Sequence, residues 1–121
     1  MSLLIKNGRI ITGDADYIAD IFIEGETVKV IGKNLSVIAE KEIDAAGKLV
    51  FPGGIDPHVH LDMPFMGTFS SDNYETGTRA ALFGGTTMVI DFILQKQGNS
   101  LKSALEEWKG RSDNNCVGDY S

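Results

Sequence analysis

Short apolar runs separated by turn residues dominate the first fifty positions of the chain. The segments at strand spacing, several of them rich in β-branched residues, are 3–6, 9–12, 18–24, 27–31, 41–44 and 48–51. Asn7-Gly8 separates the first two, and this dipeptide favours a tight hairpin because both residues tolerate positive φ. Gly25-Glu26 provides a second turn. We therefore predict a small, mostly antiparallel β unit over residues 1–52.

After Pro52-Gly53-Gly54 the pattern changes, because predicted strands now alternate with helices. The predicted strands are 55–61, 86–91 and 117–121, and the predicted helices run over 73–83 and from Ser100 to Gly110. Asp72 has N-cap chemistry with Glu75 three residues later, and Gly84-Gly85 end the first helix. Leu101, Leu105 and Trp108 recur at helical spacing on one face of the second helix.

These strands begin about thirty residues apart, which is the length of a βα unit in a parallel α/β fold. We predict that residues 53–121 form the first βαβαβ portion of a (β/α)8 barrel. Such a barrel needs about 250 residues, and an open doubly wound sheet would face the same shortage of strands and helices. We therefore expect the 121 residues to be a fragment of a longer α/β protein.

Composition limits the classes of partner. A formal net charge of -6 argues against a nucleic-acid surface, which needs clustered Lys and Arg. No apolar run approaches the length of a membrane span, and no signal peptide is evident, so we expect a cytoplasmic protein without a membrane partner. The single cysteine, Cys116, excludes an internal disulfide and is interpreted as a small apolar residue in a buried strand.

The chemistry of the chain is concentrated in its two histidines, His58 and His60, inside the strand predicted over 55–61. Side chains at i and i+2 of a strand point to one face, so the two imidazoles could share a metal ion. Spacing alone also allows satisfied core histidines or a polar patch on an edge strand. Their position near the carboxyl end of the first βα strand favours a site, because barrel enzymes build active sites there.

Three aspartates lie near this pair in sequence or in the predicted sheet. Asp56 falls on the same face of a regular strand, where a carboxylate could orient an imidazole outside the metal's own ligand set. Asp62 points to the opposite face, and Asp91 is interpreted as a hydrogen-bonding residue at a strand end. Imidazole nitrogen suits zinc, iron, nickel or manganese, and two ligands are too few for a zinc site, so the others must lie elsewhere.

The segments "FPGGIDPHVHLDMPF" and "ETGTRAALFGGTTMVIDF" resemble the hydantoinases and dihydropyrimidinases of the amidohydrolase superfamily. The resemblance extends over essentially the whole chain but covers only the first part of such a protein. It implies a (β/α)8 barrel beside a small β-sandwich, with residues 1–52 as the N-terminal part of the sandwich. It also implies hydrolysis of dihydropyrimidines or 5-substituted hydantoins to N-carbamoyl amino acids, by a homotetramer.

The resemblance also implies a metal centre. His58 and His60 would be ligands of a site with two zinc ions, bridged by a carboxylated lysine beyond Ser121. Two more histidines and an aspartate, which serves as general acid and base, would also lie beyond Ser121. No catalytic residue is then expected within this chain, and the 121 residues alone are expected to be inactive.

The loop after the histidines bears on the substrate. It resembles the substrate-gating loop of the family, with Met63, Phe65 and Met66 as candidate contacts; ordinary packing of apolar side chains is the alternative. Dihydroorotases commonly carry Arg where this chain has Asp62, and a carboxylate there would repel an acidic substrate, which favours an uncharged cyclic ureide or imide. A non-catalytic scaffold of the collapsin response mediator type and another cyclic amidohydrolase such as allantoinase remain alternatives.

Overall fold

The computed structural model describes every residue from Met1 to Ser121. The strands are β1 (Ser2–Ile11), β2 (Asp16–Glu24), β3 (Thr27–Gly32), β4 (Lys41–Asp44), β5 (Leu49–Val50), β6 (Gly54–Val59), β7 (Pro64–Phe65), β8 (Thr68–Phe69), β9 (Thr86–Asp91) and β10 (Asp119–Tyr120), and the helices are α1 (Tyr74–Phe83) and α2 (Leu101–Ser112). The chain divides into two compact units, Met1–Pro52 and Gly53–Ser121. Neither helix is long and apolar enough to cross a bilayer.

The first unit is a single five-stranded sheet in the order β3-β2-β1-β4, with β5 also paired to β1. The pairs β1-β2 and β2-β3 are antiparallel, whereas β4 and β5 run parallel to β1. Ile10, Ala19 and Ile21 form its buried apolar cluster. The predicted β unit is therefore present, with parallel pairing where its last two strands meet β1.

The predicted hairpin at Asn7-Gly8 is wrong. β1 continues through both residues, and the register to β2 shifts between Ile5 and Gly8. Asn7 does adopt positive φ (61°), but in a bulge rather than in a turn. The chain reverses later, between β1 and β2, and Asp20 of β2 holds the Asn7 amide at 2.8 Å.

The second unit contains a three-stranded parallel sheet in the order β10-β9-β6 and a separate β7-β8 hairpin. Its core cluster consists of Leu61, Tyr74, Val89 and Trp108. Two helices in βα alternation with three parallel strands make this part of the chain mixed α/β, as predicted. Closure into an eight-stranded barrel remains a prediction.

Helix α1 approaches the segment after β6 closely because residue 77 is glycine. A Cβ on Gly77 would lie 2.4 Å from Leu61 Cδ2, a distance that no side chain could tolerate without movement. The helix begins at Asn73 rather than at the predicted cap Asp72: Asn73 Oδ1 accepts the Thr76 amide, and Thr76 Oγ1 accepts the Asn73 amide. This is a reciprocal capping box.

Helix α2 begins with Ser100 as its N-cap, as predicted, but the predicted end of the helix at Gly110 is wrong. The helix continues through Gly110 to Ser112. Its buried face consists of Ala104, Trp108 and Ser112, whereas the side chains of Leu101 and Leu105 are exposed. Cys116 is also misplaced by the sequence pattern, because it precedes β10, is half-buried and packs at the edge of the core cluster.

Candidate functional site

The two histidines lie where β6 ends. His58 is the next-to-last residue of the strand and His60 follows it, and both side chains are exposed. Their Nε2 atoms are 3.1 Å apart, and the rings meet edge to face with centroids 4.9 Å apart. The structure therefore brings the predicted pair together, with one nitrogen of each ring within hydrogen-bonding distance of the other.

The strand carrying the pair is not regular. Asp56 pairs with Val89 and Val59 pairs with Asp91, so two residues of β6 lie between these pairs but only one residue of β9 does. A bulge of this kind redirects side chains near functional sites, and Pro57 inside the strand is its sequence signal because proline cannot donate to the ladder. The simple alternation used to predict the site misses this irregularity.

The Asp56 carboxylate makes a different contact from the one predicted. Its Oδ1 accepts the backbone amide of His58 at 3.1 Å, so its carboxylate supports the bulged backbone. Its hydrogen bond goes to the main chain rather than to an imidazole ring. The interpretation of Asp56 as a carboxylate that orients an imidazole does not match this arrangement.

The bulge does not prevent the two imidazoles from fitting a metal ion. Zinc binds histidine nitrogen at about 2.0–2.1 Å, and two nitrogen atoms 3.1 Å apart can both reach one ion at that distance. Neutral imidazole is also the commonest protein ligand for transition metals. His, Cys, Asp and Glu side chains do not form a group of three or more with metal-binding geometry in this chain.

A cavity of about 490 Å³ adjoins His60. The side chains that line it are His60, Met63, Phe65, Thr68, Phe69, Ser70 and Leu94. Most of this lining is apolar, and only hydroxyl groups and one imidazole offer polar contacts. The volume falls in the range of small-molecule sites.

The hairpin β7-β8 supplies one wall of the cavity. Met63 precedes it and is buried, Phe65 is largely exposed, and Met66 sits at the tip with 90% of its surface exposed. Met63 and Phe65 therefore line the cavity and Met66 does not, and contact of these residues with a substrate stays a prediction. The sequence pattern did not identify Phe69 and Leu94 as cavity-lining residues, because Phe69 follows a turn and Leu94 lies in an irregular segment.

Asp62 does not face this cavity. Its backbone has φ of 47°, its carbonyl accepts a hydrogen bond from Arg111 at 2.8 Å, and its carboxylate lies 3.9 Å from the same guanidinium. It lines a separate polar cavity with Asn73, Tyr74, Glu75, Arg111 and Asn115. The sequence argument that its charge selects an uncharged substrate is therefore not supported by its position.

Asp91, the last residue of β9, joins the segment after β6 to α1, in accordance with its interpretation as a strand-end hydrogen-bonding residue. Its Oδ2 accepts the Leu61 amide at 3.2 Å and the Tyr74 hydroxyl at 2.8 Å. Burial, together with the hydrogen bond to Asp91, raises the pKa of Tyr74 far above its usual value. Tyr74 therefore remains protonated and acts as a permanent hydrogen-bond donor to this carboxylate.

Comparison with known proteins identifies relatives of the whole chain. Residues 49–110 match the model of the Amidohydrolase family. The chain is 52% identical to a D-hydantoinase of Geobacillus stearothermophilus, covering 99% of this chain and 26% of that protein. It is 44% identical to a dihydropyrimidinase of Rattus norvegicus, covering 98% of this chain and 24% of the relative.

A solved structure agrees with these matches. The crystal structure of dihydropyrimidinase from Brevibacillus agri superimposes with a TM-score of 0.97 at 49% identity, covering all of this chain and 26% of that one. The chain thus spans about a quarter of the length of the relatives it matches. The resemblance to hydantoinases and dihydropyrimidinases is confirmed, and the chain belongs to the amidohydrolase family.

Proposed function

We propose that the complete protein hydrolyses the cyclic amide bond of dihydropyrimidines or 5-substituted hydantoins and releases N-carbamoyl amino acids. The observation that carries the proposal is the convergence of the His58 and His60 Nε2 atoms, 3.1 Å apart, beside a largely apolar cavity. The names of the relatives, D-hydantoinase and dihydropyrimidinase, support this substrate class.

His58 and His60 would hold metal in this proposal. When bound, the metal polarises the ring carbonyl as a Lewis acid and lowers the pKa of water so that it can act as a nucleophile near neutral pH. The proposal includes two zinc ions, a carboxylated lysine that bridges them, two further histidines and an aspartate as general acid and base. These other residues would lie outside residues 1–121. Placement of the histidine pair at the carboxyl end of β6 agrees with a (β/α)8 barrel for the complete protein.

The other residues of this chain would bind the substrate. Met63 and Phe65, with Phe69 across the hairpin, form an apolar wall next to His60 and would contact the substituent on the ring. Such a wall excludes water, which strengthens polar interactions at the reacting carbonyl. It offers no cation for an acidic substrate, so neutral cyclic ureides or imides fit it best. We further propose a cytoplasmic homotetramer, with its assembly based on the family resemblance.

The decisive experiment compares the complete protein with its His58→Ala variant. We expect the wild-type protein to contain zinc and to hydrolyse dihydrouracil and 5-substituted hydantoins. We expect the variant to lose metal and more than about 100-fold in kcat/KM, since even the hydrogen-bonding partners of metal ligands contribute 10–100-fold. Metal content is measured by elemental analysis and hydrolysis by appearance of the N-carbamoyl product.

Lys102→Ala serves as the control, because this side chain is exposed on α2 and distant in sequence from the histidines. It should retain both metal and activity. Hydrolysis of allantoin in place of the other rings would contradict the proposed substrate class. A protein that binds no metal and hydrolyses none of these rings would instead be a non-catalytic scaffold.

A further inference from the structure

Two consecutive residues at the end of β9, Asp91 and Phe92, contact the segment that carries His58 and His60. Asp91 Oδ2 accepts the amide of Leu61, the residue immediately after His60, and Asp91 Oδ1 accepts the Phe92 amide at 2.6 Å. The same carboxylate therefore joins the turn after the second histidine to the turn after β9. Asp62, the next residue, has positive φ, so this hydrogen bond lies where the chain changes direction.

Phe92 contacts the rings of both histidines. Its ring centroid lies 4.4 Å from that of His58 and 5.6 Å from that of His60, with interplanar angles of 40° and 45°. The favourable range for aromatic pairs is about 4.5–7 Å, so the His60 distance lies within it and the His58 distance lies at its lower edge. The Phe92 ring thus restricts the two imidazoles, whose Nε2 atoms converge.

Tyr74 holds the Asp91 carboxylate in place. It is 2% exposed, and its hydroxyl donates to the same Asp91 oxygen that accepts the Leu61 amide. A carboxylate held by a buried hydroxyl cannot easily rotate away from the backbone that it supports. Rigid support around ligands is what preserves metal-site geometry, because small displacements of ligands weaken binding.

We propose that Asp91 and Phe92 are positioning residues for His58 and His60: Asp91 fixes the backbone directly after the pair, and Phe92 fixes the rotation of both rings. This inference rests on the proposed function in one respect, namely that the histidine pair binds metal. It assigns neither residue as a ligand or a catalytic group. Sequence reasoning placed Asp91 only at a strand end and did not identify Phe92.

The test uses the complete protein, stripped with a chelator and reloaded with Zn²⁺ or Co²⁺. Phe92→Leu removes the aromatic ring and keeps an apolar side chain, whereas Phe92→Tyr retains the ring. We expect Phe92→Leu and Asp91→Ala each to weaken Zn²⁺ binding about tenfold or more, the lower end for outer partners of metal ligands. We expect Phe92→Tyr to restore binding to within about twofold of wild type, because the ring that contacts both imidazoles is retained. The visible spectrum of the Co²⁺ protein should change in the two weakened variants.

Asp44→Ala is the matched control, because Asp44 also accepts one side-chain donor and one backbone donor, Asn7 Nδ2 and the Ala46 amide, within the first unit. It should bind Zn²⁺ as wild type does, and the Tm of the metal-free Phe92→Leu protein should stay close to that of wild type. Should Asp91→Ala fail to fold, Tyr74→Phe weakens the same support and is expected to weaken Zn²⁺ binding in the same direction.

The outcomes separate this inference from the proposed function. If His58→Ala loses metal while Phe92→Leu, Asp91→Ala and Tyr74→Phe bind Zn²⁺ with wild-type affinity and an unchanged Co²⁺ spectrum, the inference is overturned and the proposed function stands. Equal weakening by Phe92→Tyr and Phe92→Leu would also overturn the positioning role of the ring. If wild type binds no metal through the pair, the proposed function itself fails.

Discussion

The buried side chain of Asp20 stabilises two backbone segments of the first unit. Its Oδ1 accepts the Asn7 amide at 2.8 Å and its Oδ2 accepts the Leu35 amide at 2.9 Å, while the residue is only 3% exposed. The first amide belongs to Asn7, which has positive φ, and the second belongs to the residue after Asn34, which also has positive φ. The carboxylate therefore stabilises two irregular segments that lack ladder partners.

Replacing Asp20 with Asn should destabilise the protein at neutral pH. Asn offers one oxygen and one NH₂ group, so one of the two backbone amides would face a donor instead of an acceptor. In the folded protein the hydrogen bonds from Asn7 and Leu35 lower the pKa of Asp20 below its usual value. The contribution of Asp20 to stability is then full above the pKa of the unfolded chain and is lost as pH falls through the lower, folded pKa.

The difference in Tm between wild type and Asp20→Asn should accordingly be large at pH 7 and shrink as pH falls below about 3.8, the unperturbed value. Asp14→Asn is the control, because Asp14 is exposed and receives only the Thr12 hydroxyl. A Tm difference for Asp20→Asn that stays constant between pH 7 and pH 3 would show that the carboxylate charge is not the stabilising feature.

At the level of single residues, the sequence pattern predicts the histidine pair but not the residues that hold it in place. The period of two along a strand predicts that His58 and His60 lie together, but it does not predict the bulge next to Pro57. The contacts made by Asp91 and Phe92 depend on how β9 aligns with β6, and sequence spacing does not determine that register. Asn7-Gly8 misleads for the same reason, because the stabilising partner of Asn7 is thirteen residues away.

At the level of secondary-structure elements, two adjacent residues could in principle cap the start of helix α1. Asp72 and Asn73 both have cap chemistry, but Asn73 Oδ1 accepts the Thr76 amide, whereas the Asp72 carboxylate accepts only the Thr76 hydroxyl. Asn73→Ala should therefore cost about 1 kcal/mol of local stability, the typical value of an N-cap. Asp72→Ala should cost clearly less.

Hydrogen exchange of the Thr76 amide in the complete protein measures this difference directly. A loss of about 1 kcal/mol corresponds to about fivefold faster exchange where exchange follows the opening equilibrium. The Asp72→Ala variant is the matched control one residue away. Faster exchange in Asp72→Ala than in Asn73→Ala would mean that the cap is Asp72, as sequence alone suggested.

Helix α2 shows why element ends are harder to predict than element types. Gly110 is a common helix terminator, yet the helix continues because the turn around it is anchored at both sides. Trp108 is buried in the core cluster, and Arg111 contacts the Trp108 ring and donates to the Asp62 carbonyl. These long-range contacts outweigh the cost of a glycine within a helix, about 1 kcal/mol.

For the whole molecule, each of the two units leaves large apolar side chains exposed. Ile38 in the first unit is 99% exposed, and Phe83 and Leu101 in the second are 90% and 72% exposed. Residues 1–121 correspond to about a quarter of the relatives. The positions of most strands and the βα alternation could be predicted because they follow from local periodicity, whereas the strand order and the partners that cover these side chains could not.

We therefore expect residues 1–121, expressed alone, to self-associate and to bind a hydrophobic dye such as ANS, because exposed apolar clusters drive association. They should also hydrolyse neither dihydrouracil nor hydantoins, since the two histidines cannot complete a catalytic zinc site, which takes about three protein ligands. Sedimentation, ANS fluorescence and product formation are measured beside the complete protein at equal concentration. A monodisperse monomer with a cooperative unfolding transition would refute the first expectation, and measurable hydrolysis would refute the second.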